Sequence, residues 1–247
     1  MLRHAISAFV QTRWVSRRRS RAAFERWQAR AASRWVRRDL PKVKFYAQAA
    51  DFASLPMIDK ATVMANFAGF NIARLDASQG WEIVKGAAPP QGLIVGASTG
   101  TSGNRGLFVI SKAESFRWLG TMLAKAMPDM VWRRQRVAII LPQTTALYDS
   151  ARRSGRIDLR FFPLVDGPET WRTEIEGFAP SVIVAPPKIL RHCAEAGFAL
   201  APRRIFSAAE TLDPPDRPVI EAAFGPLRQI YMATEGLLGV SCAHGTL

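Results

Sequence analysis

Between Leu93 and Tyr231, short apolar runs alternate with stretches of helical period, and this alternation restricts the fold more than any other feature of the chain. Leu93-Ile94-Val95 and Leu107-Phe108-Val109-Ile110 read as strands, with a glycine-rich loop between them. Ser111, with Glu114 three residues on, makes a capping box that opens an amphipathic helix reaching to about Met127. Val137–Leu141 is a continuous apolar run of the kind that buried parallel strands need. The series continues with a helix near Ala146–Arg153, a strand near Leu159–Leu164 and a helix near Glu169–Phe178. The strand Ser181–Ala185, the helix Lys188–Ala196, the strand Arg204–Phe206, the helix Pro218–Phe224 and the strand Leu227–Tyr231 complete it. The expected fold class is α/β, a largely parallel sheet flanked by helices and joined by right-handed crossovers. Upstream, Leu55–Phe70 reads as a connection and a short helix, with Pro56 starting it and Gly69 ending it.

The 247 residues suffice for a substantial core. The net charge of +14 is concentrated at one end: residues 1–44 hold 13 Lys and Arg against Glu25 and Asp39, while the remainder holds 21 against 18. The expected organisation is therefore a basic N-terminal helical segment, 1–44, and an α/β body, 45–247. Arginine stems can lie along apolar surface, so a packed or solvated basic helix is the favoured reading. An arm for nucleic acid or an anionic membrane is the sharper one, and an organellar transit peptide also fits the composition. Two distant cysteines, Cys193 and Cys242, exclude a disulfide framework and give a reducing, cytoplasmic setting as the expectation. No apolar run reaches the roughly 18 to 20 residues that span a bilayer, so no transmembrane segment is expected. The N-terminus lacks the apolar core and cleavage site of a secretory signal.

Ser98-Thr99-Gly100-Thr101-Ser102-Gly103-Asn104-Arg105-Gly106 is the first candidate site. Glycines let backbone N–H groups approach an anion, hydroxyls add hydrogen bonds, and Arg105 adds charge, a set suited to a polyphosphate. A Walker A loop needs a lysine after its second glycine and a helix next; neither is present. The even spacing of Gly100, Gly103 and Gly106 departs from the dinucleotide fingerprint. Gly96-Ala97-Ser98-Thr99-Gly100 matches a nucleophile elbow, and His192 or His244 could supply a base. An elbow requires strand, turn and helix, whereas a strand is expected after this loop, so an α/β-hydrolase using Ser98 is the lesser alternative. A flexible hairpin without a ligand is the bland one.

The second candidate is Gln229-Ile230-Tyr231-Met232-Ala233-Thr234-Glu235-Gly236. It follows a predicted strand, at the carboxyl edge where ligands of parallel sheets collect. Tyr231 offers a face to a flat base, Thr234 a donor to phosphate, and Glu235 an oxygen ligand for Mg²⁺. Cys242 and His244 are too few for a metal site and fit an ordinary strand after the motif. His192-Cys193 fits packing or helix surface, and His4 is unremarkable.

Together these segments resemble the adenylate-forming superfamily of acyl-CoA synthetases, most closely its phenylacetate–CoA ligase branch with the coenzyme F390 synthetase-related members. Ser98–Gly106 looks like the phosphate loop, Ser207-Ala208-Ala209-Glu210 like the adenine-side segment, and Tyr231–Gly236 like the Tyr-x-x-Thr-Glu motif. Leu55–Lys60, Trp27-Gln28 and Phe45-Tyr46 look like the branch's N-terminal lead-in. The resemblance covers nearly the whole chain and places the basic helix in the large domain, which weakens the nucleic-acid reading. It implies that a small-molecule carboxylic acid attacks the α-phosphorus of ATP, giving acyl-adenylate and pyrophosphate, and that a thiol such as coenzyme A then takes the acyl group. Carried over, Ser98, Thr99, Thr101 and Ser102 hold the β- and γ-phosphates within the turns of Gly100 and Gly103. Thr234 contacts the α-phosphate, Glu235 binds Mg²⁺, and Tyr231 with Ala208, Ala209 and Glu210 flanks adenine. Asn104-Arg105 stands where many relatives have Lys-Pro. The family's ribose-gripping aspartate, hinge and lysine-bearing C-terminal domain have no counterpart in these residues. The expectation is thus an incomplete large domain: a split enzyme with a separate C-terminal domain, a homo-oligomer, or a nucleotide-binding remnant without catalysis.

Overall fold

The computed structural model describes residues 2–15, 20–98, 105–141, 156–233 and 236–242. It divides into two compact units, Met1–Arg117 and Trp118–Leu247.

In the first unit the basic segment forms two helices. Helix α1 (Leu2–Val10) runs into a π-helical turn at Gln11–Val15, and α2 (Arg21–Arg38) begins at Ser20. Ser20 has extended backbone, and its hydroxyl accepts the Ala23 N–H, satisfying a donor that a helix start leaves without an intrahelical partner. The lead-in aromatics then cluster: Phe45 stacks on Phe70 with ring centroids 4.0 Å apart, and Tyr46 meets both rings edge-on. Helix α3 (Lys60–Ala65) is capped by Asp59, whose carboxylate accepts the Thr62 N–H at 2.7 Å. Gly69, expected to end a helix, lies inside α4 (Phe67–Phe70) instead. A Cβ there would meet that of Phe45 at 3.7 Å, an ordinary van der Waals contact. Buried Asn71 ties the next turn, donating to the carbonyls of Phe67 and Leu75 and accepting the Leu75 N–H. Helix α5 (Ala77–Val84), which the hydrophobic pattern does not announce, starts at a capping box of Asp76 and Gln79.

Strands β1 (Leu93–Ala97) and β2 (Leu107–Ser111) pair as an antiparallel hairpin, with Leu93 opposite Ser111 and Ala97 opposite Leu107. The expected capping box is present: Ser111 N–H donates to the Glu114 carboxylate at 2.7 Å, and Glu114 N–H donates to Ser111 Oγ at 3.2 Å. It opens α6 (Lys112–Ala126).

The second unit is a six-stranded sheet in the order β4-β3-β5-β6-β7-β8. The strands are β3 (Gln135–Leu141), β4 (Ile157–Pro163), β5 (Val182–Ala185), β6 (Arg204–Ser207), β7 (Leu227–Ala233) and β8 (Gly236–Val240). Every pairing from β4 to β7 is parallel, and β8 turns back antiparallel on β7. The expected helix near 146–153 lies outside the described residues. Helices α7 (Arg172–Phe178), α8 (Pro187–Glu195) and α9 (Asp216–Phe224) connect the later strands. Their apolar faces meet the sheet in one core that includes Ile140, Phe162, Trp171, Ile175, Ile205 and Ile220. Trp171 supplies area and a polar tether together: its ring lies 5.6 Å from Phe162, and its indole N–H donates to the Pro163 carbonyl.

One buried carboxylate fastens α9 to α8. Asp216 is fully buried and meets Lys188 Nζ and Arg191 Nη1, each at 2.9 Å, while Lys188 also reaches Asp213 at 2.7 Å. Hydrogen bonds from Lys188 and Arg191 hold the Asp216 carboxyl below the usual carboxylate range. The unfolded chain therefore takes up this proton first, so the stabilisation is complete above about pH 4 and drains away as pH falls through the lower folded-state value. Asp216→Asn is expected to lower the thermal midpoint clearly at neutral pH, with the gap to wild type narrowing in acid; unfolding scans across a pH series measure both. Cys193 shares the core, where burial pushes its thiol up to about 12, while Cys242 is exposed. A thiol reagent should label one cysteine, Cys242, in the native protein and both after denaturation, as read by mass spectrometry.

Candidate functional site

In the first unit the glycine-rich loop rises from a closed stem. Ser98 N–H donates to the Gly106 carbonyl at 2.8 Å, and Gly106 N–H donates to Ser98 Oγ at 2.8 Å. The Ser98 hydroxyl accepts in this contact and keeps its own proton to donate. Arg105 is held at the same stem: its Nε donates to the Ser98 carbonyl at 3.3 Å, and its guanidinium lies 5.3 Å from the Trp81 ring centroid. The stem stands on packed glycines. A Cβ on Gly80 in α5 would fall 2.6 Å from Leu107 Cδ1, and one on Gly96 would fall 2.3 Å from the Phe108 ring opposite it. Those contacts are open only to glycine as the side chains stand, so they fix α5 against the hairpin and the Phe108 ring across β1.

Lys60 is the residue at this stem that sequence reasoning passed over. It opens α3, and its aliphatic stem runs 3.5 to 3.6 Å from where a Gly106 Cβ would be. The lead-in segment thus brings a cation to the foot of the loop from about 45 residues upstream in sequence. Nothing local in Leu55–Lys60 signals that placement; only the folding of α3 against the hairpin creates it. Thr99, Gly100, Thr101, Ser102 and Gly103 lie outside the described residues. Strand β2 follows β1 in the chain and pairs with it, whereas a nucleophile elbow delivers its serine into a helix.

In the second unit, β6 and β7 are parallel neighbours with Ser207 opposite Gln229. Their carboxyl ends therefore emerge side by side, and Ala208-Ala209-Glu210 and Tyr231 leave the same sheet edge. The Ala208 N–H donates to the Ala185 carbonyl at the end of β5, which adds a third strand end to this edge. Ala209 and Glu210 are exposed, and so is Tyr231, which presents its ring at a register irregularity between Tyr231 and Met232. Thr234 and Glu235 lie outside the described residues. Two further features were not legible in the sequence. Ala209 takes φ +70°, the left-handed region that a Cβ disfavours by about 1–2 kcal/mol. Ser207 is 1% exposed, and its hydroxyl has no hydrogen-bond partner among the described residues. Strain and an unsatisfied buried polar atom concentrate at working sites, and here both fall on one four-residue segment. Among the described residues, no group of three or more His, Cys, Asp or Glu side chains gathers to hold a metal.

No protein-family model matches the sequence, and no curated protein matches it. Solved structures do. A 2-hydroxyisobutyryl-CoA ligase with 2-HIB-AMP and CoA in the thioesterification state is similar at a TM-score of 0.55 and 15% identity, over 97% of this chain and 52% of that one. The same ligase in the postadenylation state with R3-HIB-AMP gives 0.53 and 16%, over 93% and 48%. Its open conformation with 2-HIB-AMP and CoA gives 0.52 and 15%, over 94% and 49%. The likeness is one of fold, and the chain spans about half the length of these ligases. The α/β fold, with its mostly parallel six-stranded sheet, matches part of the large domain of an adenylate-forming enzyme.

The packing at the two segments sets opposite signs for two substitutions. Gly96→Ala drives a methyl into the Phe108 ring and is expected to cost about 1–3 kcal/mol. Ala209→Gly releases the left-handed strain and is expected to add about 1 kcal/mol. Urea unfolding midpoints at unchanged slope measure both.

Proposed function

We propose that this chain binds ATP and activates a small-molecule carboxylic acid as its acyl-adenylate, in the manner of the phenylacetate–CoA ligase branch, with coenzyme A as the thiol that takes the acyl group. The observation that carries the reading is the adjacency of Ala208–Glu210 and Tyr231 at one carboxyl edge of a sheet whose fold matches adenylate-forming ligases. The closed, hydroxyl-rich loop stem supports it.

In this reading Ser98, Thr99, Thr101 and Ser102 donate to the β- and γ-phosphates, with Gly100 and Gly103 letting the backbone approach. Arg105 and Lys60 supply the positive charge at the loop's foot. Lys60 stands in for the lysine that the Asn104-Arg105 pair lacks. Tyr231 stacks on adenine, and the Ala208–Glu210 backbone lines its other side. Thr234 donates to the α-phosphate as charge builds on it. Mg²⁺ accepts one or two carboxylates and keeps several waters; Glu235 is the residue that would hold it, and the ion neutralises phosphate charge when bound. Adenyl transfer depends mainly on positioning and preorganised charge, so these donors, rather than an acid–base pair, are the machinery. The basic segment 1–44 belongs with the large-domain scaffold, and the setting is cytoplasmic.

A second reading, nucleotide binding without turnover, draws on the chain's span of about half the ligases' length. Two measurements separate the readings. ATP titration of the 247-residue protein should give saturable binding, weakened about tenfold or more by Lys60→Met. Carboxylate-dependent exchange of pyrophosphate into ATP should appear with at least one acid of a panel and fall about 10²–10³-fold in Thr234→Val. Binding without exchange selects the second reading, and absence of ATP binding overturns both.

A further inference from the structure

Helix α1 turns apolar side chains outward. Leu2, Ile6 and Val10 follow one another at i, i+4 and so form a single row, and they are 67%, 55% and 40% exposed. Trp14 extends the row at 44% exposure, with Phe9 packed edge-on against it at 5.9 Å. A helix of a soluble domain puts such a row into its core; here Ala5 is the buried position of α1.

Helix α2 turns charge outward. Arg26, Arg30, Arg34 and Arg38 are all exposed and four residues apart, which makes a ridge along the helix, with Arg37 beside its end. Like charges at that spacing repel. The acids nearby are largely engaged elsewhere: Glu25 is paired with Arg21 at 2.7 Å and Asp39 with Lys42 at 2.7 Å, and Asp39 reaches the ridge only at its end, through Arg38. Trp35, 43% exposed, stands among these arginines. His4 on α1 and Asp39 at the end of α2 both lie within electrostatic range of Arg117.

We propose that α1 and α2 form an interfacial anchor for an anionic lipid bilayer, with the Leu2–Ile6–Val10–Trp14 row entering the boundary between headgroups and acyl chains and the arginine ridge facing lipid phosphates. Each half of the surface answers to one half of a membrane interface: apolar area to the acyl boundary, cations to the negative surface potential, and tryptophans to the headgroup level. A nucleic acid would account for the arginines and leave an exposed Leu-Ile-Val row without a role. No described helix is long and apolar enough to cross a membrane, and the contact proposed is with helices lying along the surface. It stands independently of ATP binding and carboxylate activation.

The test uses the whole protein and two kinds of vesicle, phosphatidylcholine alone and phosphatidylcholine with phosphatidylglycerol. Sedimentation with the anionic vesicles, a blue shift of tryptophan emission and quenching by brominated acyl chains are expected. Arg30→Gln and Arg34→Gln should each weaken partitioning about fivefold. The triple change Leu2→Ser, Ile6→Ser and Val10→Ser should weaken it about tenfold or more and abolish the quenching, while circular dichroism and thermal midpoint stay as in wild type. Equal partitioning to both vesicle types, or a triple variant that binds as wild type does, overturns the proposal. So does tighter binding to duplex DNA than to anionic vesicles with no effect of the triple change, which would assign the ridge to nucleic acid.

Discussion

A strand buried on both faces must find all its backbone hydrogen bonds sideways, and that requirement organises the second unit. β3 is buried along most of its length and pairs with β4 on one side and β5 on the other. The described connections, from β4 to β5, β5 to β6 and β6 to β7, carry helices, and every strand from β4 to β7 points the same way. The carboxyl ends are thereby collected at one edge without any interaction specifying it. The segments after β5, β6 and β7 become neighbours because their strands do, and the proposed adenine side follows from register alone. The amino edge carries a different load: buried Gln135 accepts from Arg203 at 3.0 Å and Ser181 at 3.3 Å, and Arg204 meets Asp129 at 2.9 Å. Those contacts tie strand starts to one another.

The parallel sheet was legible because its signal is local and repeated. Val137–Leu141 and Ser181–Ala185 need no partner to announce a buried strand, and the Ser111–Glu114 box marks a helix start within four residues. What depends on contacts between distant segments was not legible. Gly69 reads as a terminator in one dimension, but α4 continues past it to Phe70. Helix α5 rests on a single capping box over a short span. A strand is expected after the Tyr231–Gly236 motif and is β8, but its antiparallel return on β7 is not specified by a Gly-Leu-Leu-Gly-Val run.

The same division applies to the candidate site. The glycines and hydroxyls of the loop suggest an anion-compatible backbone by their chemistry, while the Ser98–Gly106 stem beneath them comes from the hairpin. Lys60 enters only through the fold. Ala209 is less legible still: glycine or asparagine would have hinted at a left-handed residue, and alanine gives no such hint. A residue that resists its own conformation is held there by the surrounding segment, here between the buried Ser207–Ala208 end of β6 and the loop toward α9. The sequence resemblance drew attention to this segment on other grounds than its backbone conformation.

The reciprocal pair between Ser98 and Gly106 has a consequence for how this loop can change over time. Both bonds close at the foot, so the hairpin register below is fixed where the strands end. Arg105 belongs to the foot through Ser98 and Trp81, so substitutions there reach the hairpin and α5, whereas the β1–β2 register is closed below by the Ser98–Gly106 pair whatever stands between Thr99 and Asn104. Fixing the ends also narrows the range of closures open to the intervening chain. The stem is thus a socket: one scaffold on which successive loops of different charge and reach could be tried while the hairpin beneath stayed the same.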